Sequence, residues 1–474
     1  MKTLAGSLIL TGLLLSSAVL GQSGYFPALG EVSYGYYGAG ARAFAMGDAF
    51  VGLANDITGG TWNPAGIWVI ETPMVSASYF IYQPNGRFTQ NLTPVVTEGK
   101  LNTKVFSHFS FATPFRVSGR GVVFNFNYNR NNEFSNESEI YSGVINKLNP
   151  DVFTSDRGYL RTFSFGLSAR IYRQLSVGAM ANVYDGRRII EESFSLARDL
   201  VIAPGPPPIT GLWLSKSTLL DSTSSSGFNF TLGAMYKLSK VSFGAVAQTP
   251  YKVKNSSDFA LMKVATFEGL PQIQESDTIF VNDSIAKLDI PLSLAFGVAF
   301  FPNEKLTATM DINYQRYGSV NWFYRDSTFF SASGIRTDFY TPIPVEWNNT
   351  LGLGVGVEYS LPTKVGRVPL RAGFRFDQLP QPKNTVVTYT NILDDEGQPT
   401  DSFDISFSTE DRQNSMSLCV GTGVHWSKLG FDMAYRYTSG AETNVTGFVN
   451  GTMIEKRKQE RKAHEFRFTF TGYL

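Results

Sequence analysis

The stretch Phe163-Ser164-Phe165-Gly166-Leu167-Ser168-Ala169-Arg170-Ile171 alternates a greasy residue with a small or polar one. Successive side chains of a strand point to opposite faces, so this segment has one apolar face and one polar face. The same pattern sets Val122, Phe124, Phe126 and Tyr128 against Val123, Asn125, Asn127 and Asn129. It sets Leu306, Ala308, Met310, Ile312 and Tyr314 against Thr307, Thr309, Asp311, Asn313 and Gln315, and Phe466, Phe468 and Phe470 against Arg467, Thr469 and Thr471. Fourteen such segments fall at 73–83, 104–114, 120–130, 160–172, 175–188, 226–237, 240–252, 288–300, 305–319, 347–359, 367–378, 412–426, 429–440 and 462–473.

The connections between them alternate in length. Short ones fall at Phe115–Gly119, Arg173–Gln174, Leu238–Ser239, Phe301–Glu304 and Ser427–Lys428, with a slightly longer one at 360–366. Long loops are expected at 84–103, 131–159, 189–225, 253–287, 320–346, 379–411 and 441–461. A soluble sandwich has no reason to sort its loops this way, whereas a transmembrane barrel pairs short periplasmic turns with long external loops. The fold class expected is therefore all-β, a 14-stranded antiparallel transmembrane β-barrel. Hydrocarbon offers no water to backbone groups, so the greasy face points outward and a small, polar face lines the lumen.

The first residues fit that setting. Lys2 and the apolar run Leu8 to Leu20 resemble a secretory signal, residues 1–21, too short to span roughly 30 Å of hydrocarbon as a helix. Cys419 is the single cysteine, which excludes an intramolecular disulfide framework. The net charge of +1 gives no argument for nucleic acid. Aromatic residues at 14% suit the girdles that flank an apolar band.

Between the signal and the first strand lies Gly40–Gly66, GARAFAMGDAFVGLANDITGGTWNPAG, rich in Gly and Ala and poor in charge. Side chains alone fill a barrel of about eight strands, while sixteen or more leave a channel. Fourteen need a plug, and residues 22–72 start at the periplasmic mouth of the barrel formed by 73–474. Here the chain resembles the outer-membrane long-chain fatty-acid and aromatic-hydrocarbon transporter family. The resemblance is carried by Gly40-Ala41-Arg42-Ala43, Met46-Gly47, Asn55-Asp56 and above all Trp62-Asn63-Pro64-Ala65-Gly66. Leu288-Asp289-Ile290-Pro291 and Phe376-Asp377-Gln378-Leu379-Pro380-Gln381-Pro382 continue it along the chain.

The resemblance implies an N-terminal hatch, with Gly40, Arg42, Gly47, Asn55, Asp56, Asn63, Pro64, Ala65 and Gly66 as its gating residues. It implies passive uptake of hydrophobic molecules, foremost long-chain fatty acids, with lateral release into the membrane. A kink in strand three is expected near Tyr128, Asn129 and Arg130. Asn129 stands where the family has Gly, and a strand simply running polar into its loop is the alternative. Arg187 and Arg188 resemble a basic ligand site for a carboxylate, and equally read as snorkelling or paired residues. Arg371, Arg375 and Arg436 should face the lumen and pair with Asp377, Asp432 and Glu358. Implied partners are a fatty acid or other hydrophobic molecule, outer-membrane lipid and lipopolysaccharide, and the barrel-assembly machinery. The last of these rests on Phe466, Phe468, Phe470 and the terminal Tyr473-Leu474. The location expected is the bacterial outer membrane. The alternative function is a barrel resembling type IX secretion shuttles that binds exported cargo proteins.

Catalysis finds no support. His108, His425 and His464 are scattered over separate strands without metal-ligand spacing, and Cys419 and His425 lie roughly 20 Å apart along one strand. No metal, cofactor or enzyme activity is expected. The basic stretch Lys456–Lys462 reads as a solvated external loop or a contact for lipopolysaccharide phosphates, and Pro204–Pro208 as an extended loop.

Overall fold

A computed structural model describes residues 38–474 apart from 91–94, 101–102, 141–150, 204–208, 268–269, 321, 331–334, 344–346, 365, 394–398 and 450–451. The expected signal, the first part of the 22–72 segment and the Pro204–Pro208 stretch lie outside these residues. Fourteen strands form the barrel wall. They are β1 (Met74–Gln90), β2 (Thr103–Val117), β3 (Arg120–Ile140), β4 (Asp151–Arg170), β5 (Leu175–Ala203), β6 (Ile209–Lys237) and β7 (Val241–Gln248). The remainder are β8 (Ser293–Asn303), β9 (Leu306–Gln315), β10 (Thr350–Thr363), β11 (Gly366–Leu393), β12 (Pro399–His425), β13 (Leu429–Val449) and β14 (Thr452–Tyr473). Each pairs antiparallel with the next. The ring closes through β1 and β14, from Met74 opposite Tyr473 to Gln90 opposite Arg457. The expected closed 14-strand barrel is what forms.

Hydrophobicity sorts the two faces as the sequence pattern demands. Phe165, Leu167, Phe296 and Phe300 are about half exposed, on the outer wall, while Ser110, Asn125, Asn127 and Asp311 are fully buried in the lumen. The tight β2–β3 turn shows the local chemistry. Ser118 and Gly119 both take positive φ, 49° and 79°, as a two-residue hairpin with right-handed strand twist requires.

The long connections differ from expectation. Most of their described residues are strand and not irregular loop, because the strands run on beyond the apolar band. β5 continues to Ala203 and pairs with β6 along this whole extension. Five further strands, Val95–Lys100, Tyr251–Phe267, Leu270–Ile290, Trp322–Phe330 and Ile335–Ile343, build on the same external sheet. The basic stretch Lys456–Lys462, read as a loop, lies within β14, and Arg457–Arg461 are paired on both sides. Backbone groups satisfied by ladder bonds account for this: a polar sequence stays in the sheet when its neighbours do. Proline interrupts the ladder where it has no N–H to give. Thr249-Pro250 and Pro291-Leu292 face each other and separate β7 and β8 from their external continuations.

The candidate channel site

Inside the ring lies the segment from Gly38 to Ile70, folded as a short helix α1 (Ala41–Ala45) and two 3₁₀ turns, Ile57–Thr61 and Gly66–Val69. Phe44, Met46, Phe50, Val51, Trp62 and Ile67 are buried there. The Asp56 side chain caps the first turn, accepting from the backbone N–H of Thr58 at 2.9 Å and of Gly59 at 3.1 Å. Met46, Phe50, Val51 and Trp62 share an apolar cluster with Met235, Val246 and Ala295 of the wall.

The segment can approach so closely because inward positions of the wall lack side chains. A Cβ on Gly178 or Gly233 would strike Pro64 or Asn63, and one on Gly244 would strike Val51. Farther round the ring, on β10 and β11, Gly354, Gly356 and Gly373 lie against the backbone of Met46 and Gly47. Gly47 itself has φ 65° and presses on the carbonyls of Val355 and Phe374, so only Gly fits on both counts.

Polar contacts then divide the seat into two halves. On the β9–β14 side they are ionic. The guanidinium of Arg42 donates to both oxygens of Glu358 at 2.9 Å and to Asn55 at 2.8 Å, and also meets Asp56 at 3.2 Å. Arg371 donates to Glu358 and to Asp432, each at 2.6 Å, and Arg375 pairs with Asp377 at 2.7 Å. Arg436 donates to Asp48 at 2.6 Å and lies over the Phe44 ring at 3.7 Å. Burial opposes the charge on Arg42, yet Glu358 and Asp56 outweigh it and raise its pKa above the ordinary value. Asp311 of β9 accepts from the Val51 N–H at 2.6 Å.

On the β4–β7 side the contacts are neutral. Asn63 donates to the carbonyls of Val51 at 3.0 Å and Ala234 at 3.2 Å, while its own oxygen accepts from the Ala65 N–H at 3.0 Å. Ser176 and Ser168 donate to the Ala65 carbonyl at 2.8 and 3.3 Å. The expected site residues Gly40, Arg42, Gly47, Asn55, Asp56, Asn63, Pro64, Ala65 and Gly66 thus all lie in this interior segment. Asp48 and Asp311 were missed, because their partners are 388 and 260 positions away in sequence, and the small-residue lumen lining was expected without the particular glycines being assigned.

Beside the segment the wall has a gap. Pairing of β2 with β3 runs from Val117 opposite Arg120 to His108 opposite Asn129 and goes no further. Both strands continue, β2 pairing with β1 and β3 with β4. Each is irregular at that level. Ser107 is an extra residue between His108, opposite Ser78, and Phe106, opposite Tyr79. Asn131 is an extra residue between Arg130, opposite Arg161, and Asn132, opposite Leu160. His108 Nδ1 meets Asn129 Oδ1 at 2.7 Å across the last rung. The gap begins two inward rungs above Asn125, which the segment touches at Gly60.

Arg187 and Arg188, expected as one site for a carboxylate, are separated by the strand itself. Arg188 is buried in the lumen and its guanidinium is held by Asp156. Arg187 is exposed on the outer wall. Adjacent residues of a strand point to opposite faces, so the two do not converge on one ligand.

A closed antiparallel barrel with an apolar outer face and a polar, occupied lumen defines an outer-membrane transport barrel. The chain belongs to the outer membrane protein transport protein family (OMPP1/FadL/TodX), whose profile matches residues 28–388. It is accordingly a bacterial outer-membrane protein of a family that transports hydrophobic compounds, a family of channels and not of enzymes. Among solved structures it resembles the P. putida toluene transporter TodX, at TM-score 0.58 and 14% identity over 93% of this chain and 99% of that one. A Pseudomonas aeruginosa FadL homologue gives 0.56 and 14% over 92% and 98%. The Ralstonia pickettii toluene transporter TbuX gives 0.54 and 14% over 93% and 100%. No match was found among curated proteins. The alternative of a secretion shuttle binding exported proteins gains no support from these relatives.

Proposed function

We propose that the protein is a passive channel for long-chain fatty acids, with residues 22–72 as its hatch and the gap between β2 and β3 as its lateral exit. The observation that carries this reading is the ladder ending at His108–Asn129 while both strands run on. An unpaired seam in the wall, just above an interior segment that fills the lumen, offers a route from lumen to bilayer. Delivery into lipid spares an acyl chain about 0.8 kcal/mol of exposure to water per methylene. Related structures described as toluene transporters and monoaromatic hydrocarbon channels make small aromatics the competing cargo. In this reading outer-membrane lipid receives the cargo, and the barrel-assembly machinery recognises the terminal strand.

Proteoliposomes carrying the protein and offered labelled oleate or toluene test the proposal. Oleate should enter faster than toluene. Deleting residues 40–66 should turn selective uptake into a leak that also admits small sugars. Uptake of neither compound, or uptake unchanged by the deletion, would overturn it.

A further inference from the structure

The periplasmic rim of the barrel carries a charge that transport through the lumen does not use. Arg116 and Arg120 flank the β2–β3 turn, Arg170 and Arg173 the β4–β5 turn, and Lys237 and Lys240 the β6–β7 turn. Lys364 and Arg367 do the same between β10 and β11, while Lys305 and Lys428 stand in the β8–β9 and β12–β13 turns. Every short turn thus holds at least one cation, and all ten are exposed. Against them stand Glu71, Glu304 and the terminal carboxylate of Leu474. The layer above is close to neutral and already paired, Arg42 and Arg371 lying against Asp56, Glu358 and Asp432. Among the described residues none of the ten rim cations is ion-paired. The whole chain has a net charge of only +1, so the excess is particular to this rim.

Direction separates an aqueous partner from lipid. Arg116, Arg170, Lys237 and Arg367 continue the inward registers of Ala112, Ser168, Met235 and Arg371, which are buried. Arg170 accordingly lies over the Trp68 ring of the interior segment, 4.7 Å from its centre. Five others stand in the turns themselves, and only Arg120 shares the outward register of Val122 and Phe124. Outward positions at this level are apolar and exposed, as at Val117, Ile171, Leu238, Leu361 and Trp426. The lipid-facing side of the rim is greasy, and the cations surround the mouth.

Spacing makes them act together. Strands lie about 4.8 Å apart and tilt by roughly 40°, so successive turns stand about 12 Å from one another. That is close to the Debye length of about 10 Å at 0.1 M salt, and neighbouring turns reinforce one field. The backbone beneath is fixed from turn to turn. Phe301 donates its N–H to the Lys240 carbonyl at 2.8 Å, Ser360 to that of Lys305 at 2.7 Å, and Tyr473 to that of Lys428 at 3.0 Å. We infer that this rim is a docking surface for an acidic soluble protein of the periplasm, seated across the mouth beneath the interior segment. Complementary charge would steer such a partner and set its register on the ring. Inner-leaflet headgroups, the competing anions, would meet the outward register, where the rim offers Arg120 alone.

Full-length protein in phosphatidylcholine nanodiscs, titrated with a fluorescent oligo-glutamate peptide, tests the charge of the seat. The variant K240Q/K305Q/K364Q/K428Q alters only exposed turn residues and should bind the peptide about tenfold more weakly. Salt should weaken binding to the natural protein in the same direction. In native cells, a photo-crosslinking residue in place of Ser239 and another in place of Ser427 probe turns on well-separated sides of the mouth. Both should trap the same adduct, an acidic protein, and the quadruple variant should abolish it from both positions. Equal peptide binding by variant and natural protein would overturn the inference, as would no adduct, different adducts at the two positions, or an adduct that survives the variant. So would a variant that loses phosphatidylglycerol added to the nanodiscs while keeping the peptide, which would assign the ring to lipid headgroups. None of these readouts involves cargo, so failure of the proposed transport reading leaves them unaffected.

Discussion

Asp48 shows how much rests on single residues of the interior segment. Its φ of 60° places the carboxylate against Arg436, 2.6 Å away, and within 3.8 Å of Arg375. Removing one partner of a buried pair leaves the other charge without compensation, at a cost of about 3–5 kcal/mol. Asp48→Asn tolerates the same backbone angle and should lower the unfolding free energy, measured by denaturant titration in lipid vesicles, by that order. Neutralising Lys458, half exposed beside Glu460 at 2.8 Å, should change it by less than about 1 kcal/mol. Glycine gives a second contrast. Gly373→Ala would drive a methyl into the backbone of Met46 and Gly47 and should cost about 1–3 kcal/mol, whereas Gly121→Ala meets open space and should be near neutral. The family resemblance pointed to Asn63-Pro64-Ala65 because a motif of consecutive residues can be read directly from the chain. It was silent on Asp48 with Arg436 and on Val51 with Asp311, whose members stand 388 and 260 positions apart. Only closure of the ring makes them neighbours.

Strands were legible for a simpler reason: lipid on one side and a polar lumen on the other impose period two at every crossing. What alternation could not supply was where strands stop, because the external sheet carries on under polar sequence. Nor could it reveal the two bulges, since Asn131 and Ser107 look like ordinary members of their runs. These bulges are open to direct test. Removing Ser107 would leave His108 facing the lumen and Phe106 facing lipid, so the faces keep their register while the extra residue disappears. The shortened β2 should fold normally, as judged by heat-shifted gel mobility, and slow oleate entry by about tenfold if the seam is the exit. The two halves of the segment's seat should also separate experimentally. Replacing Ser168 and Ser176 with Ala removes the donors to the Ala65 carbonyl and leaves the Arg42 and Asp48 pairs intact. Hydrogen exchange should then rise at residues 61–70 and stay unchanged at 41–48.

Over the whole molecule, closure removes the exposed edges that an open sheet would present to other chains. Truncation before Thr452 deletes β14 and with it the long ladder to β1. The shortened chain should aggregate on refolding and lose its resistance to detergent on gels. The ring also closes upon something. Ala41 donates its N–H to Thr469 at 2.8 Å, and Arg467 donates to the Gly38 carbonyl at 3.2 Å. The earliest described residues are therefore bonded to the final strand. An object with glycine seats on β5, β6, β7, β10 and β11 and ionic rivets on β10, β11 and β13 cannot easily be threaded into a finished cask. The segment is better placed as the mandrel on which the sheet is rolled, held first and released from the tool never. Biogenesis should feel this directly: pulse-labelled chains lacking 40–66 should reach the heat-modifiable form more slowly than the complete protein, even where the final barrel is equally stable.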